Sequence, residues 1–506
     1  MSAVKGLPRS RLTCRSCIHS ARIRENVETR ISRDGSRSRT RQNMRWCLDS
    51  GRRASTPPAA SGHLEGGGSS ASLNDILHAR KAEPLLPFES PAPSTLITDW
   101  EITPDLLLGC EPRGPPLKVA VLLSGGVDSS VALRLLKAAG HQCTAFYLQI
   151  WVQEDFRNFW GECPWEEDLG YAQGVCDQAG VELHTVPLTN EYWDRVVSHT
   201  ISEIERGRTP NPDVLCNSRV KFGAFYDHLQ ECHSGQFDRV ASGHYARLER
   251  TPSGLVSLTM SSDAHKDQTY FLAHLSQAQL SRVMFPLGYL PKPKVREVAE
   301  QLQLPNCSRK DSQGICFLGK VQFREFVKEH LGEKDGPLVE FETGKELGRH
   351  KGFWFHTSGQ RQGLGLSNGP WYVHSKVPET NVVYISKKYY QMETNRDRFE
   401  CGEFNWTLGD CPNTSQLTRC KMRHGPNIYD CVVEYSNPEC TLATVVLEGD
   451  DQGIAAGQYA VFYNCDGICI GSGVIQRPLP GSTKNVEPTN KDTWTSDTST
   501  EATCIP

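Results

Sequence analysis

A short apolar run, Lys118-Val119-Ala120-Val121-Leu122-Leu123, breaks into Ser124-Gly125-Gly126-Val127-Asp128-Ser129-Ser130, and helical spacing begins at once behind it. Consecutive apolar positions describe a strand buried on both faces, which places it in a parallel sheet covered by helices. Val131, Leu135 and Ala138 then recur at helical intervals and stop at Gly140, a suitable C′ residue. A glycine loop between a strand end and a helix start turns backbone N–H groups and small hydroxyls toward the positive helix end, which makes a phosphate cradle. It is not the Walker A pattern, because the lysine that should follow the last glycine is missing. A plain glycine turn, with Asp128 or Ser129 as N-cap, would account for two or three of these positions but not for all seven.

Strands and helices continue to alternate. Thr144 to Trp151 reads as a second strand, 165–179 as a helix, Val181 to Val186 as a third strand, 191–206 as a helix and Arg239 to Ser242 as a further strand. The expectation is an α/β domain with an open parallel sheet. After about residue 325 the texture changes to glycine-punctuated short strands, such as Trp371-Tyr372-Val373 and Asn381 to Ile385. From about Glu400 to Arg477 the chain is β-rich, with Cys431 to Tyr435, Thr441 to Leu447 and Tyr459 to Tyr463 between turn residues, as in a small barrel or sandwich.

Two thiols stand in chemically suggestive settings. In Asn211-Pro212-Asp213-Val214-Leu215-Cys216-Asn217, Asn211 is a good N-cap and Pro212 a preferred first helical residue. Cys216 then falls near the first turn, where the helix dipole favours thiolate. Asp213 shares its face and can exchange a proton, although its charge opposes the thiolate. The second setting is Asp311-Ser312-Gln313-Gly314-Ile315-Cys316-Phe317. Each thiol alone also suits a packed core position.

The ends differ from the body. Of 55 basic and 59 acidic residues, fourteen and four lie within residues 1–55, so residues 56–506 carry a net charge of −14. An Arg- and Ser-rich, acid-poor start is the composition of an organelle transit peptide, mitochondrial first and plastid second; an attached nucleic-acid-binding arm is the alternative. The nineteen cysteines lack the regular spacing of a disulfide scaffold, so reduced thiols are expected. No apolar run approaches the roughly 18 residues that a membrane span needs. The expected organisation is a leader at 1–55, a flexible linker at 56–115, an α/β domain carrying the phosphate cradle at 116–325, a small central domain at 326–395, a barrel at 396–478 and a disordered tail at 479–506.

The glycine loop resembles that of the adenine-nucleotide hydrolase-like ATP pyrophosphatases. With it, Thr209 to Asn217, Ser242-Gly243-His244-Tyr245, Lys266-Asp267-Gln268-Thr269-Tyr270-Phe271-Leu272 and Gly359-Gln360-Arg361-Gln362-Gly363-Leu364-Gly365 resemble, in one order, the tRNA-specific 2-thiouridylases. That resemblance implies replacement of the C2 oxygen of a wobble uridine by sulfur. It implies an ATP site of Leu122, Leu123, Ser124, Gly125, Gly126, Val127, Asp128 and Ser129, with Leu148 and Gly243 near the adenosine and Mg²⁺ accompanying the nucleotide. Asn211, Pro212 and Asp213 would meet the target base. His244, Lys266, Asp267 and Gln268 would touch the tRNA, with Arg423, His424 and Gln458 on the barrel side. Cys216 would be the nucleophile and Cys316 the persulfide carrier. The implied partners are tRNAs for Lys, Glu and Gln and a persulfide donor such as a cysteine desulfurase or a relay protein. Gln362 and His424 depart from the family's usual basic residue and tyrosine. The competing readings are another pyrophosphate-loop ligase, which needs no thiol pair, and a non-catalytic tRNA-binding scaffold.

Overall fold

A computed structural model of the chain describes residues 102–111, 114–150, 164–311, 323–388, 397–409, 411–412, 418–451 and 454–480. The expected leader, most of the linker, nearly all of the tail and Cys316 lie outside the described residues. The linker expectation needs correcting at its end. Pro104–Cys110 forms a 3₁₀ turn whose Leu106 and Cys110 are buried, and the Cys110 carbonyl lies 2.6 Å from His141 Nε2.

The first sheet is built from β1 (Lys118–Leu122), β2 (Gln142–Gln149), β3 (Leu183–Pro187), β4 (Arg239–Ala241) and β7 (Val283–Met284), in the order β3-β2-β1-β4-β7. Every pairing in it is parallel. Helices α1 (Val127–Ala138), α2 (Pro164–Ala179), α3 (Ser198–Glu205), α4 (Phe225–His233) and α5 (Lys292–Gln301) belong to the same region. The sheet separates two cores, because successive strand residues point to opposite faces. Val119 and Val121 enter one core with Val131, Leu135 and Val298, whereas Ala120 and Leu122 enter the other with Val196, Val220 and Phe225. The expected helix over 191–206 is interrupted by a wider π-helical turn at Trp193–Val197. No proline or glycine marks that break in the sequence.

The chain order reverses between β1 and β4, so the segments leaving these two neighbouring strands part around a crevice. This is the topological switch point at which open α/β sheets bind ligands.

Behind α6 (Phe323–Leu331), β8 (Gly336–Glu340), β9 (Glu346–His350), β10 (Tyr372–Val377) and β11 (Val382–Ser386) form a mixed sheet in the order β10-β11-β8-β9. Strands β12 (Arg398–Trp406), β13 (Thr418–Lys421), β14 (Tyr429–Tyr435), β15 (Leu442–Leu447), β16 (Tyr459–Tyr463) and β17 (Ile468–Pro478) run in the order β12-β15-β14-β13-β16-β17. A β12–β17 pairing closes them into a barrel. Of the barrel or sandwich expected, the barrel is present. A hairpin of the first domain, β5 (Arg247–Arg250) and β6 (Val256–Thr259), extends this sheet through Ile468↔Thr259 and Cys469↔Leu258.

Candidate functional site

The loop after β1 is held open by its own backbone. Gly125 sits at φ +74°, where a Cβ would lie 2.2 Å from the Asp168 carbonyl oxygen, so both conformation and space demand glycine. Gly126 is the N-cap of α1, and no side chain caps that end. Orphan N–H groups of a first helical turn are the donors that bind phosphate oxygens. Ser124 and Ser129 hydroxyls meet at 3.2 Å, and those of Ser129 and Ser130 donate to the Gly126 carbonyl at 3.0 and 2.9 Å. Leu122 ends β1, and the Leu123 N–H donates to Phe146 on β2 at 2.9 Å. Gly243 leaves the end of β4 against the same loop: a Cβ there would come within 2.7 Å of the Ser129 nitrogen. Leu148 is part-buried on β2. An apolar strand end, bare helix N-terminus and glycine wall together suit a nucleotide's phosphates.

Residues distant in sequence brace the loop. Asn306 is 1% exposed, and its Nδ2 donates to the Gly125 carbonyl at 2.7 Å and to Ser130 Oγ at 2.9 Å. Arg309 donates to the same carbonyl at 3.2 Å, forms an ion pair with Asp168 and covers the Tyr171 ring at 5.0 Å. Asp128, the second residue of α1, accepts from Tyr245 Oη at 2.8 Å and pairs with Lys292 Nζ at 2.6 Å. Lys292 also reaches Asp311 at 2.9 Å, and Lys266 reaches it at 2.7 Å, with Arg296 as a third cation. Burial works against the Asp311 charge, but hydrogen bonds from Lys266 and Lys292 outweigh it and hold the carboxyl well below the usual range. Asp311 thus ties the entry to the Cys316 segment to the phosphate loop. Asn306, Arg309, Lys292 and Tyr245 carry no local sequence signal for these roles.

Replacing Asn306 by alanine removes both donors from a buried loop. ATP affinity should fall about tenfold, the equivalent of one lost buried hydrogen bond. Isothermal titration of ATP into the variant checks this; an unchanged Kd with a lowered melting temperature would assign Asn306 to stability alone.

The Asn211 region forms its helical turn as the sequence predicts. The Asn211 side chain accepts from the Val214 N–H at 3.3 Å, and Pro212 is the first helical residue. Cys216 is buried and stands fifth in the helical run, beyond the first turn. The expected help from the helix dipole is therefore weak, since that field fades within one turn. Asp213 is half-buried.

This turn faces the barrel. Asn211 Nδ2 donates to Gln458 Oε1 at 3.2 Å, Tyr270 Oη lies 3.3 Å from the same oxygen, and the Thr209 N–H donates to Ala456 at 2.7 Å. The His424 ring lies 4.7 Å from that of Phe271, and burial followed by the Lys421 charge lowers its pKa, so it is neutral at physiological pH. Arg423 is exposed on the rim, 3.4 Å from Asp451. Asn211, Pro212, Asp213, His424 and Gln458 therefore share one region.

The remaining predicted tRNA contacts are placed differently. Asp267 is buried and accepts from the Ser261 N–H at 3.0 Å and Thr269 Oγ1 at 2.8 Å. Gln268 Oε1 accepts from the Tyr245 N–H at 3.0 Å, which fixes the segment that supplies the Asp128 partner. His244 is half-buried between Phe222 and Phe285, with Ser242 Oγ 2.7 Å from Nδ1. Burial, then Lys221, lowers its pKa well below the usual value.

Family models match in succession: the tRNA methyl transferase HUP domain at residues 117–320, the tRNA methyl transferase PRC-barrel domain at 324–387 and the aminomethyltransferase beta-barrel domain at 396–475. The chain is 42% identical over 366 residues to the tRNA-specific 2-thiouridylase MnmA of Parabacteroides distasonis, covering 71% of this chain and 99% of that protein. It is 41% identical over 375 residues to the protein of the same name from Porphyromonas gingivalis, with the same coverage. Among solved structures, an NMN synthetase from Francisella tularensis covers 44% of this chain and 79% of its own at 18% identity and a TM-score of 0.26. A 4-thiouridine synthetase–RNA complex with bound ATP covers 42% and 50% at 17% identity and a TM-score of 0.27. Likeness at that level carries no argument.

Proposed function

Because the chain belongs to the tRNA-specific 2-thiouridylase family, we propose that this sulfurtransferase activates the C2 oxygen of a wobble uridine with ATP and replaces it with sulfur carried on Cys316. The observation that supports this reading best is the pairing of an uncapped, glycine-walled helix N-terminus with an Asn211–Cys216 turn that meets the barrel through Gln458. The first suits ATP phosphates; the second suits a base presented between two domains.

The uridine C2 oxygen is a poor leaving group until it is adenylated, a step that releases pyrophosphate. A persulfide on Cys316 then attacks C2, AMP departs, and the Cys216 thiolate takes the remaining cysteine sulfur as a Cys216–Cys316 disulfide. In a second route Cys216 attacks the persulfide first and frees sulfide for the same substitution. Either route uses both thiols and ends in one disulfide, so a thiol reductant restores the enzyme. Asp213 is assigned the proton exchange at the base. Mg²⁺ bound with ATP would offset phosphate charge, and Asp128, held by Lys292 and Tyr245, is the carboxylate in the loop.

The tRNAs are those with a wobble uridine, with Lys, Glu and Gln acceptors first. The sulfur arrives as a persulfide from a cysteine desulfurase or a relay protein. The body of the chain carries a charge of −14, so tRNA must be held by local basic patches rather than by overall attraction. The Arg-rich first 55 residues argue for mitochondrial import, with the plastid second; a reporter fused to them should enter the organelle, and a reporter left outside would refute the assignment.

The deciding experiment incubates the full chain with tRNA, ATP and a persulfide donor, then analyses the nucleosides by mass. A gain of sulfur at the wobble uridine, with pyrophosphate released only when tRNA is present, is expected. Pyrophosphate release without thiolated nucleoside would point to another ligase.

A further inference from the structure

In the barrel, Cys411 follows β12 and Cys440 lies in the turn between β14 and β15, and their Sγ atoms are 2.9 Å apart. Two thiols do not rest so close by chance packing, and only about 1 Å of closure separates this contact from a bonded S–S length. We propose that Cys411 and Cys440 form a second redox pair, separate from the sulfur-transfer thiols, which closes to a disulfide by exchange with a small-molecule disulfide of the oxidised-glutathione class.

Three observations carry this. Both thiols are partly exposed, whereas Cys401, Cys420 and Cys431 in the same barrel are fully buried, out of reach of a soluble oxidant. Both lie outside the strands, so a small shift in either loop closes the gap without breaking the ladder. The Cys440 turn is already set for the contact. Cys440 stands at φ +53°, its N–H donates to the Asn437 carbonyl at 3.1 Å, and Asn437 spans the turn to Thr441 through bonds of 2.6 and 3.0 Å. The turn is thus tied across its ends while its thiol lies against Cys411.

The chemistry balances without further reagents. One thiolate attacks the small disulfide and releases one thiol. The second thiolate attacks the resulting protein sulfur and releases the other. The protein loses two hydrogens, the oxidant gains them, and a cross-link joins residues 29 positions apart. Such a link restricts the unfolded chain and stabilises the barrel.

The test equilibrates the full-length protein in defined ratios of oxidised to reduced glutathione, blocks free thiols by alkylation and maps peptides by mass. Wild type should yield a Cys411–Cys440 linked peptide pair, two hydrogens lighter than the reduced peptides. Its melting temperature should rise by about 5 °C on oxidation, a rise that Cys411→Ser and Cys440→Ser both lose while keeping thiolation activity. Alkylation of both cysteines at every ratio would overturn the proposal. So would a link that forms with no change in melting temperature, or a rise that survives in either variant.

Discussion

Cys216→Ser and Cys316→Ser proteins should each form 2-thiouridine at least roughly 10³-fold more slowly than wild type, because a hydroxyl neither carries a sulfane sulfur nor resolves a persulfide. The two should fail differently. Cys316→Ser has no carrier, so no persulfide forms on it under any donor. Cys216→Ser should trap the tRNA on Cys316 through a reducible S–S bond to the C2 sulfur if Cys216 acts last, whereas it should stall as the Cys316 persulfide and be partly rescued by free sulfide if Cys216 acts first. ATP binding, measured by titration, should be unchanged in both, since the glycine loop is held by Asn306, Arg309 and Lys292 and not by either thiol. Thiolation persisting near the wild-type rate in either variant would remove sulfur carriage by this pair from the mechanism. Thiol mapping for this experiment belongs in a Cys411→Ser background, where the barrel pair cannot contribute a disulfide of its own.

Lys292→Met should cost about 2–3 kcal/mol of stability, since it leaves the Asp128 and Asp311 carboxylates facing one another without their shared cation. Lys292 is 9% exposed and lies 2.6 and 2.9 Å from the two. Methionine keeps most of the volume, so the loss reports charge more than packing. The pH dependence gives the sign. Asp311 has its folded-state pKa depressed, so it contributes stability that is present above the unfolded value of about 3.9 and is lost as pH falls toward the folded one. Wild type should therefore lose stability on acidification below about pH 4, and Lys292→Met should lose less over the same interval. Urea melts from pH 7 to pH 3 measure both slopes; parallel slopes would show that Lys292 does not set the Asp311 charge. ATP affinity should fall alongside, because Asp128 sits on the first turn of α1.

The parts of this protein that its sequence announces are local ones. The β1 run, the glycine loop and α1 lie within one continuous stretch, so burial pattern, turn chemistry and helix spacing agree there. Asn211 and Pro212 are likewise readable, since a cap and a first helical proline act on their own next turn. Tyr459–Tyr463 emerges with the expected bounds because a short β-branched and aromatic run sits between turn residues. What stayed hidden depends on distant partners. Asn306 lies 181 positions from the carbonyl it holds, and Lys292 lies 164 from Asp128; nothing in their own neighbourhoods marks them. The position of Cys216 past the first turn is a matter of one residue, which helix signals do not resolve. Asp267 and Gln268 look like surface polar groups in sequence, yet internal donors and acceptors claim them.

The β5–β6 hairpin couples the fates of two regions that the chain could otherwise have kept apart. Because main-chain hydrogen bonds along Leu258–Thr259 seat this hairpin of the first domain on β17 of the barrel, a barrel transplanted from a relative must match that hairpin as well as its own core. Change in the barrel is thereby tethered to a strand of the α/β domain, and shortening the chain ahead of β12 would bare an edge inviting self-association.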